Sequence, residues 1–252
     1  MMLAVIPARL GATRLPRKPL RDLAGKPLVV RVWERVQGMQ VADRCVVATD
    51  SHEVAAAARD AGAECVITRD DHPSGTDRVA EVAALAEYRG FDAIVNVQGD
   101  EPFVPRDAVL GAAEMVSSGR FPLGTAAAHA DRAILAQPNV VKVVTADDGR
   151  ALYFSRASIP FIRDEHDAPL ARALVRQHIG VYAYTRDALA RWVRLPQHPL
   201  EQVERLEQLR PLAAGIAMGV ALIDEPPLGG IDTEDDLARA GAQWQDFSRG
   251  RR

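Results

Sequence analysis

Four cations crowd into ten residues near the amino terminus: Arg9, Arg14, Arg17 and Lys18, within Pro7-Ala8-Arg9-Leu10-Gly11-Ala12-Thr13-Arg14-Leu15-Pro16-Arg17-Lys18-Pro19-Leu20. Like charges held that close repel unless an anion joins them, and arginine forks beside a lysine point charge suit phosphate oxygens. Gly11 and three prolines constrain the path of the segment. A solvated basic loop has the same composition, but this one follows a short apolar run and so sits where an α/β sheet binds its ligands. It carries neither GxGxxG nor GxxxxGK[ST], which removes the main support for a dinucleotide fold or a P-loop. Phosphate binding is the favoured reading, and a triphosphate is left open.

A second chemical segment is Asn96-Val97-Gln98-Gly99-Asp100-Glu101-Pro102. Glycine lets backbone come close to a ligand, and Asp100 at that point could ligate a hard cation such as Mg²⁺. A simple Gly-Asp turn explains the same residues equally well. Asp232, after Gly229-Gly230-Ile231, could likewise be nothing more than helix N-terminal chemistry. Taken with the basic loop, the two acids make a sharper proposal: Mg²⁺ binds through one or two carboxylates plus substrate phosphate, and Arg and Lys neutralise the remainder.

The other polar groups are individually weak. Strand alternation in Arg176-Gln177-His178-Ile179-Gly180-Val181-Tyr182 puts His178, Gly180 and Tyr182 on one face. Ser74-Gly75-Thr76-Asp77-Arg78 reads as a helix entry with Ser74 or Thr76 as cap. The charged run Glu201 to Arg210 reads as a solvated helix face. Nothing proposes a Ser-His-Asp or Cys-His nucleophile.

The elements that must position these groups alternate. Four Val- and Ile-rich runs, Leu3 to Ile6, Cys45 to Ala48, Cys65 to Ile67 and Ala93 to Val97, read as buried strands. Between them Leu28 to Val36, Glu53 to Ala61 and Arg78 to Tyr88 have helical spacing. Such alternation predicts an α/β fold, a mostly parallel sheet with helices on both faces, whose ligand crevice lies at the carboxyl ends of the strands. From Phe121 to Tyr184 the alternation loosens: Val140 to Val144, Ala151 to Phe154 and Gly180 to Tyr184 read as strands, which predicts a smaller β-rich insertion within one domain. Helix returns over Leu200 to Leu212 and after Thr233, where Thr233-Glu-Asp-Asp offers a cap and an acidic first turn, and the tail Arg249 to Arg252 is expected to fray.

The 252 residues are 48% hydrophobic and 26% charged, which excludes disordered and collagen-like chains. With 31 Lys and Arg against 34 Asp and Glu the net charge is −3, so no positive field exists to hold a nucleic acid. Cys45 and Cys65 lie in Val-rich runs without metal spacing and are expected to be buried thiols in a reducing compartment. Residues 1–7 lack a basic targeting region, and no run reaches the roughly 18 apolar residues of a membrane span, so a cytoplasmic protein is expected with neither membrane nor nucleic-acid partners.

Nine segments, in order, resemble one family: IPARLGATRLPRKPL (6–20), VATD (47–50), SGTDR (74–78), VNVQGDEP (95–102), NVVKVV (139–144), ALYFSRASIP (151–160), QHIGVYAY (177–184), LEQVERLEQLR (200–210) and GIDTEDDL (230–237). Together they are similar to the 3-deoxy-manno-octulosonate (Kdo) cytidylyltransferases of the nucleotide-diphospho-sugar transferase fold. The short form IPAR…TRLP.KPL is shared more widely and marks only the superfamily. The resemblance implies the reaction CTP + Kdo → CMP-Kdo + pyrophosphate, dependent on Mg²⁺, for lipopolysaccharide assembly. It implies that Arg9, Arg14 and Lys18 hold the triphosphate, with Lys18 and Arg14 beside the reacting phosphate. Ala8, Ser74, Gly75 and Gln98 would meet cytosine or ribose. Asp100 and Asp232 would carry magnesium, while Arg78, Gln98, His178, Tyr182, Glu207 and Gln208 would line the sugar pocket. Segment 121–184 would bring sugar contacts and a homodimer interface. Two departures stand out: Arg17 where the family commonly has Gly, and Asp77 where Glu is common. The competing readings are a cytidylyltransferase for sialic acid or an amino analogue of Kdo, which the Pro16-Arg17-Lys18 triplet also suits, and a non-catalytic CTP-binding module. A nicotinamide oxidoreductase is a distant third, for want of the glycine fingerprint.

Overall fold

In the computed structural model, which describes residues 1–11, 14–224, 226 and 228–249, the elements are as follows. In chain order they are β1 (Met2–Ala8), β2 (Asp22–Leu23), β3 (Lys26–Pro27), α1 (Leu28–Met39), β4 (Arg44–Thr49), α2 (His52–Asp60), β5 (Glu64–Ile67), α3 (Gly75–Ala84) and β6 (Ala93–Val97). There follow α4 (Arg106–Ser117), β7 (Leu123–His129), β8 (Lys142–Thr145), β9 (Ala151–Ser155), α5 (Ala168–Arg172) and β10 (Arg176–Thr185). The last are α6 (Arg186–Trp192), α7 (Pro199–Glu204), α8 (Leu209–Ala213), β11 (Met218–Ile223) and α9 (Glu234–Arg249). The chain forms two compact units, Met1–Arg106 with Leu228–Arg252, and Asp107–Pro227. The β-rich segment 121–184 lies within the second unit, which also takes in most of α4 and the chain as far as β11.

In the first unit β1 pairs in parallel with β4 on one side and β6 on the other, and β4 with β5. Leu3, Val5 and Ile6 of β1, Val46 and Val47 of β4, and Ile94 and Val95 of β6 are fully buried, as strands of continuous Val and Ile require when covered on both faces. Parallel pairing puts the ends of β1, β4, β5 and β6 at one edge, so the basic loop, Asp50, the 68–74 loop and Gln98-Gly99-Asp100 all emerge there. Helix α9 is fastened to this unit by Phe103, whose ring meets Trp244 at 5.8 Å and Phe247 edge-on at 4.8 Å, with Arg31 lying 4.8 Å over Trp244. Such offset ring pairs and a cation over an aromatic face add to what apolar burial alone contributes.

In the second unit β7 pairs in parallel with β11 and antiparallel with β10, and β8 antiparallel with both β10 and β9. Strand β7 reads Leu-Gly-Thr-Ala-Ala-Ala-His and carries little strand propensity. It is chosen for smallness: a Cβ on Gly124 would collide with the Ala112 carbonyl oxygen of α4, so only glycine lets that helix settle on the sheet.

Three expectations change. The run Glu201 to Arg210 is no solvated helix face and Leu200 to Leu212 is not one helix: Arg205 takes the left-handed conformation (φ 55°) and ends α7. Glu201, Gln208 and Arg210 are then buried, the first and last as an ion pair. Cys45 is buried and its thiol pushed up to about 12 by that burial, but Cys65 on the outermost strand β5 is only half-buried. At the carboxyl terminus α9 continues through Arg249, and Gly250, Arg251 and Arg252 lie outside the described residues, as do Ala12 and Thr13 of the basic loop. Among the described residues no helix is long and apolar enough to cross a membrane.

Candidate active site

The basic loop leaves β1 and is pinned by Leu15 and Pro19, both buried, while Arg14 and Arg17 are exposed. Residues Lys18–Leu20 close a 3₁₀ turn, entered through Arg17 in the left-handed conformation (φ 58°). That conformation costs a side-chain-bearing residue about 1–2 kcal/mol, which accounts physically for glycine being common there in the family the sequence resembles. Arg17 is tied to Glu53 at the start of α2. Arg21 at the end of the turn binds both oxygens of Glu234, at 2.6 and 2.7 Å. This bidentate pair couples the loop to the first turn of α9.

The turn aims Lys18 inward. Its ammonium donates to Asp100 Oδ2 at 2.6 Å and to Asp232 Oδ1 at 2.9 Å, and Arg14 reaches Asp232 Oδ2 at 3.0 Å. Burial disfavours the Lys18 charge, but the two carboxylates outweigh it and hold the pKa above the ordinary lysine value. Arg9 is exposed on the same loop.

The two acids are far apart in sequence, and glycines allow them to meet. A Cβ on Gly99 would stand 2.7 Å from the Pro7 carbonyl oxygen, so the Asp100 turn lies directly against the end of β1. At Gly230 a Cβ would stand 2.7 Å from Glu101 Oε1, and Ile231 N–H donates to the Asp100 carbonyl at 2.9 Å, laying the segment before Asp232 along the Asp100 turn. Thr233 and Asp236 then exchange hydrogen bonds as a reciprocal cap on α9, with the Asp236 carboxylate also receiving the Asp232 N–H at 3.1 Å. Gly99→Ala is expected to lower kcat at least tenfold by pushing Asp100 off β1, since misplacement by about 1 Å costs on the order of 10²-fold. Steady-state kinetics with thermal melts would check it, and a kcat within twofold of the parent would contradict it.

The donor set here is all oxygen, which suits a hard divalent cation. Glu101 strengthens the fit: its Oε2 is buried with no hydrogen-bond partner among the described residues. Its carboxyl is raised to about 8, first by burial and then by the charges of Asp100 and Asp232. A site with that surplus of acid accommodates a cation.

Of the residues expected around the nucleotide, Gly75 and Gln98 come together beside Pro7, for a Cβ on Gly75 would meet the Pro7 ring at 3.4 Å and Gln98 Oε1 at 3.7 Å, and Ala8 lies against the next turn, its Cβ 3.5 Å from where one on Gly99 would stand. Ser74 caps α3, and its hydroxyl donates to Asp77 Oδ2 at 2.7 Å, the shorter carboxylate serving the cap directly. Arg78, expected in the sugar pocket, is 2% exposed; its guanidinium binds Asp50 at 3.0 Å, the Arg69 carbonyl at 3.2 Å and the Thr68 hydroxyl. It ties the ends of β4 and β5 and steadies the loop that delivers Ser74.

The remaining expected residues lie in the second unit. Strand β10 is bulged between Ile179 and Tyr182. The buried Thr125 hydroxyl donates to the Val181 carbonyl at 2.7 Å within the bulge, and therefore accepts from His178 Nε2–H at 2.9 Å. A hydroxyl has one proton to give, which fixes these roles. Burial pushes the His178 pKa down to about 3, so the ring is neutral. It stands edge-on to Phe154 at 4.9 Å and 5.6 Å from the Tyr182 ring, whose phenol is pushed well above its ordinary value by burial and then by Tyr184 and Glu207. Glu207 and Gln208 occupy the turn between α7 and α8, Gln208 buried.

Sequence reasoning gave no role to Asp50, to Glu101 of the Asp100-Glu101 carboxylate pair, to Thr125 or to Lys142. The last is fully buried with its ammonium on the carbonyls of Gln137, Val140 and Arg156, at 2.9, 2.7 and 2.5 Å. A single lysine inside the apolar run Asn139 to Val144 was the available signal.

A phosphate-suited basic loop facing paired acids, at the carboxyl edge of a parallel sheet, defines a nucleotidyl-transferring class. Consistent with this, the family model described as Cytidylyltransferase matches residues 3–218. A 3-deoxy-manno-octulosonate cytidylyltransferase of Gemmatimonas aurantiaca is 63% identical over 243 residues, covering 96% of this chain and 94% of that protein. Another from Polynucleobacter asymbioticus is 46% identical over 239 residues, covering 94% and 93%. A solved structure of CMP:2-keto-3-deoxy-manno-octonic acid synthetase complexed with CTP aligns with a TM-score of 0.89 at 37% identity, covering 97% of this chain and 98% of that one. The chain belongs to the 3-deoxy-manno-octulosonate cytidylyltransferase family.

Proposed function

We propose that this protein transfers CMP from CTP to Kdo and releases pyrophosphate. The observation that carries the reading is Lys18 bridging Asp100 and Asp232 at the mouth of the basic loop, in a chain of this family. The anomeric hydroxyl of the sugar attacks the α-phosphorus in line; an O–P bond forms as the bond to the pyrophosphate oxygen breaks, and the hydroxyl proton passes to solvent. No covalent enzyme intermediate is needed, so positioning and charge neutralisation supply the catalysis. Arg14 and Lys18 neutralise charge on the phosphates, and Arg9 adds a third cation on the same loop. Ala8, Ser74, Gly75 and Gln98 receive the cytidine. Asp100 and Asp232 would hold Mg²⁺, which when bound supplies Lewis acidity toward the phosphate oxygens. His178 and Tyr182, with Glu207 and Gln208, are assigned to sugar recognition; a neutral imidazole with Nδ1 unprotonated acts there as an acceptor for a sugar hydroxyl. We further assign the protein to the cytoplasm as a homodimer, on the family resemblance alone.

Pyrophosphate release from purified protein, with Mg²⁺ and CTP and with Kdo, sialic acid, an 8-amino Kdo analogue or no sugar, tests the reading. A signal with Kdo at least tenfold above the other arms is expected. CTP binding without release in any arm would leave only a binding module, and a stronger sialic acid signal would move the enzyme to another acidic sugar.

A further inference from the structure

We propose that Lys18 is a built-in counter-ion that competes with the divalent cation for the Asp100–Asp232 pair, so that tight cation binding follows only when a triphosphate draws Lys18 away. The inference rests on the cytidylyltransferase reading and deepens it by fixing how nucleotide and cation depend on one another.

The ammonium lies 2.6 and 2.9 Å from one oxygen of each acid. These are the carboxylates that would hold a divalent cation, so ammonium and cation would contend for one place. Two positive charges cannot share that point, so the acid pair chooses between them. Lysine holds the position well, being 16% exposed where Asp100 and Asp232 are 31% and 45% exposed: the cation sits deeper than its partners. Arg14, 68% exposed, pairs with Asp232, itself 45% exposed, and is the weaker competitor. A triphosphate brings several negative charges to the loop that carries both cations. As it takes them up, Asp100 and Asp232 lose their internal partners and become better ligands. By linkage, the factor by which nucleotide then strengthens cation binding equals the factor by which the cation strengthens nucleotide binding.

The test is titration of the nucleotide-free full-length protein with Mn²⁺ alone, followed by electron paramagnetic resonance of free Mn²⁺, for the parent, Lys18→Met, Asp100→Asn and the Lys18→Met/Asp100→Asn double variant. Lys18→Met should bind Mn²⁺ at least tenfold more tightly than the parent, and the double variant should lose that gain. Arg14→Gln should tighten binding threefold at most. If Lys18→Met binds no more tightly while Asp100→Asn still weakens binding, the competition is overturned and the cation site survives. If Asp100→Asn weakens binding in neither background, the cation site itself is wrong and the competition falls with it. The unaltered chain gives an independent reading: millimolar Mn²⁺ should expel Lys18 from the acids and raise its rate of chemical acetylation, followed by mass spectrometry, and an unchanged rate overturns the proposal.

Discussion

Asp100→Asn is expected to lower kcat by about 10²–10³-fold, the loss typical when one preorganised charge-stabilising group is removed. The side chain is 31% exposed and its carboxylate is held by Lys18, so the fold should stand and Tm should move by no more than a few degrees. The amide keeps the shape of the carboxylate but removes the charge that a divalent ligand set requires. It also removes one of the two carboxylates on Lys18, which leaves the ammonium freer for phosphate. Binding of CTP in the absence of metal should therefore be unchanged or tighter while turnover collapses. Isothermal titration with CTP beside steady-state pyrophosphate release separates the two effects. Near-normal kcat would reject Asp100 as a principal cation ligand, and CTP binding weakened in step with kcat would place it in nucleotide recognition.

Glu201→Gln should destabilise the protein by about 3–5 kcal/mol at pH 7, because it removes the charge from a buried ion pair. Arg210 donates to the two Glu201 oxygens at 2.8 and 2.6 Å, and the side chains are 8% and 4% exposed. The His198 N–H adds a third bond at 3.3 Å that caps α7. Burial works against the Glu201 charge, but the Arg210 hydrogen bonds and charge outweigh it and hold the carboxyl below its ordinary pKa. A depressed native pKa contributes stability that is whole above the ordinary glutamate value of about 4.3 and is lost as pH falls through the native value. The gap in Tm between parent and variant should thus be wide at pH 7, about 10 °C, and narrow below about pH 4. A double replacement by Met at 201 and 210 should recover most of the loss, since a packed apolar pair replaces an ion pair with little cost. Melts at both pH values check this, and a gap under about 2 °C at pH 7 would show the pair to be dispensable.

Much of this architecture was legible in the residues. Strands β1, β4, β5 and β6 are Val- and Ile-rich runs, and β1, β4 and β6 are buried on both faces, the pattern that most reliably betrays a parallel strand. The Thr233 cap was readable because a local hydrogen-bond exchange needs only neighbours. What escaped is long-range. Strand β7 is Ala-rich and has no strand pattern because α4 demands small residues against it, a constraint located in another element. Glu201 and Arg210 look like solvent charges until Arg205 turns the chain and folds one onto the other. At the site, the residue types of Lys18, Asp100 and Asp232 announced phosphate and cation chemistry. Their meeting depended on Gly99 and Gly230, whose value is the absence of a side chain against a partner distant in sequence. Arg78 is long-range too: an arginine in a family motif is expected at the ligand, and its fork also binds Asp50, Thr68 and Arg69, groups that only the fold brings beside it.

The segment that supplies Asp232 rejoins the first unit only after the whole second unit has been made, and the Phe103, Trp244 and Phe247 rings seat it. A chain that stopped short of residue 228 would lack Asp232 and offer Lys18 one of the two acids that hold it here.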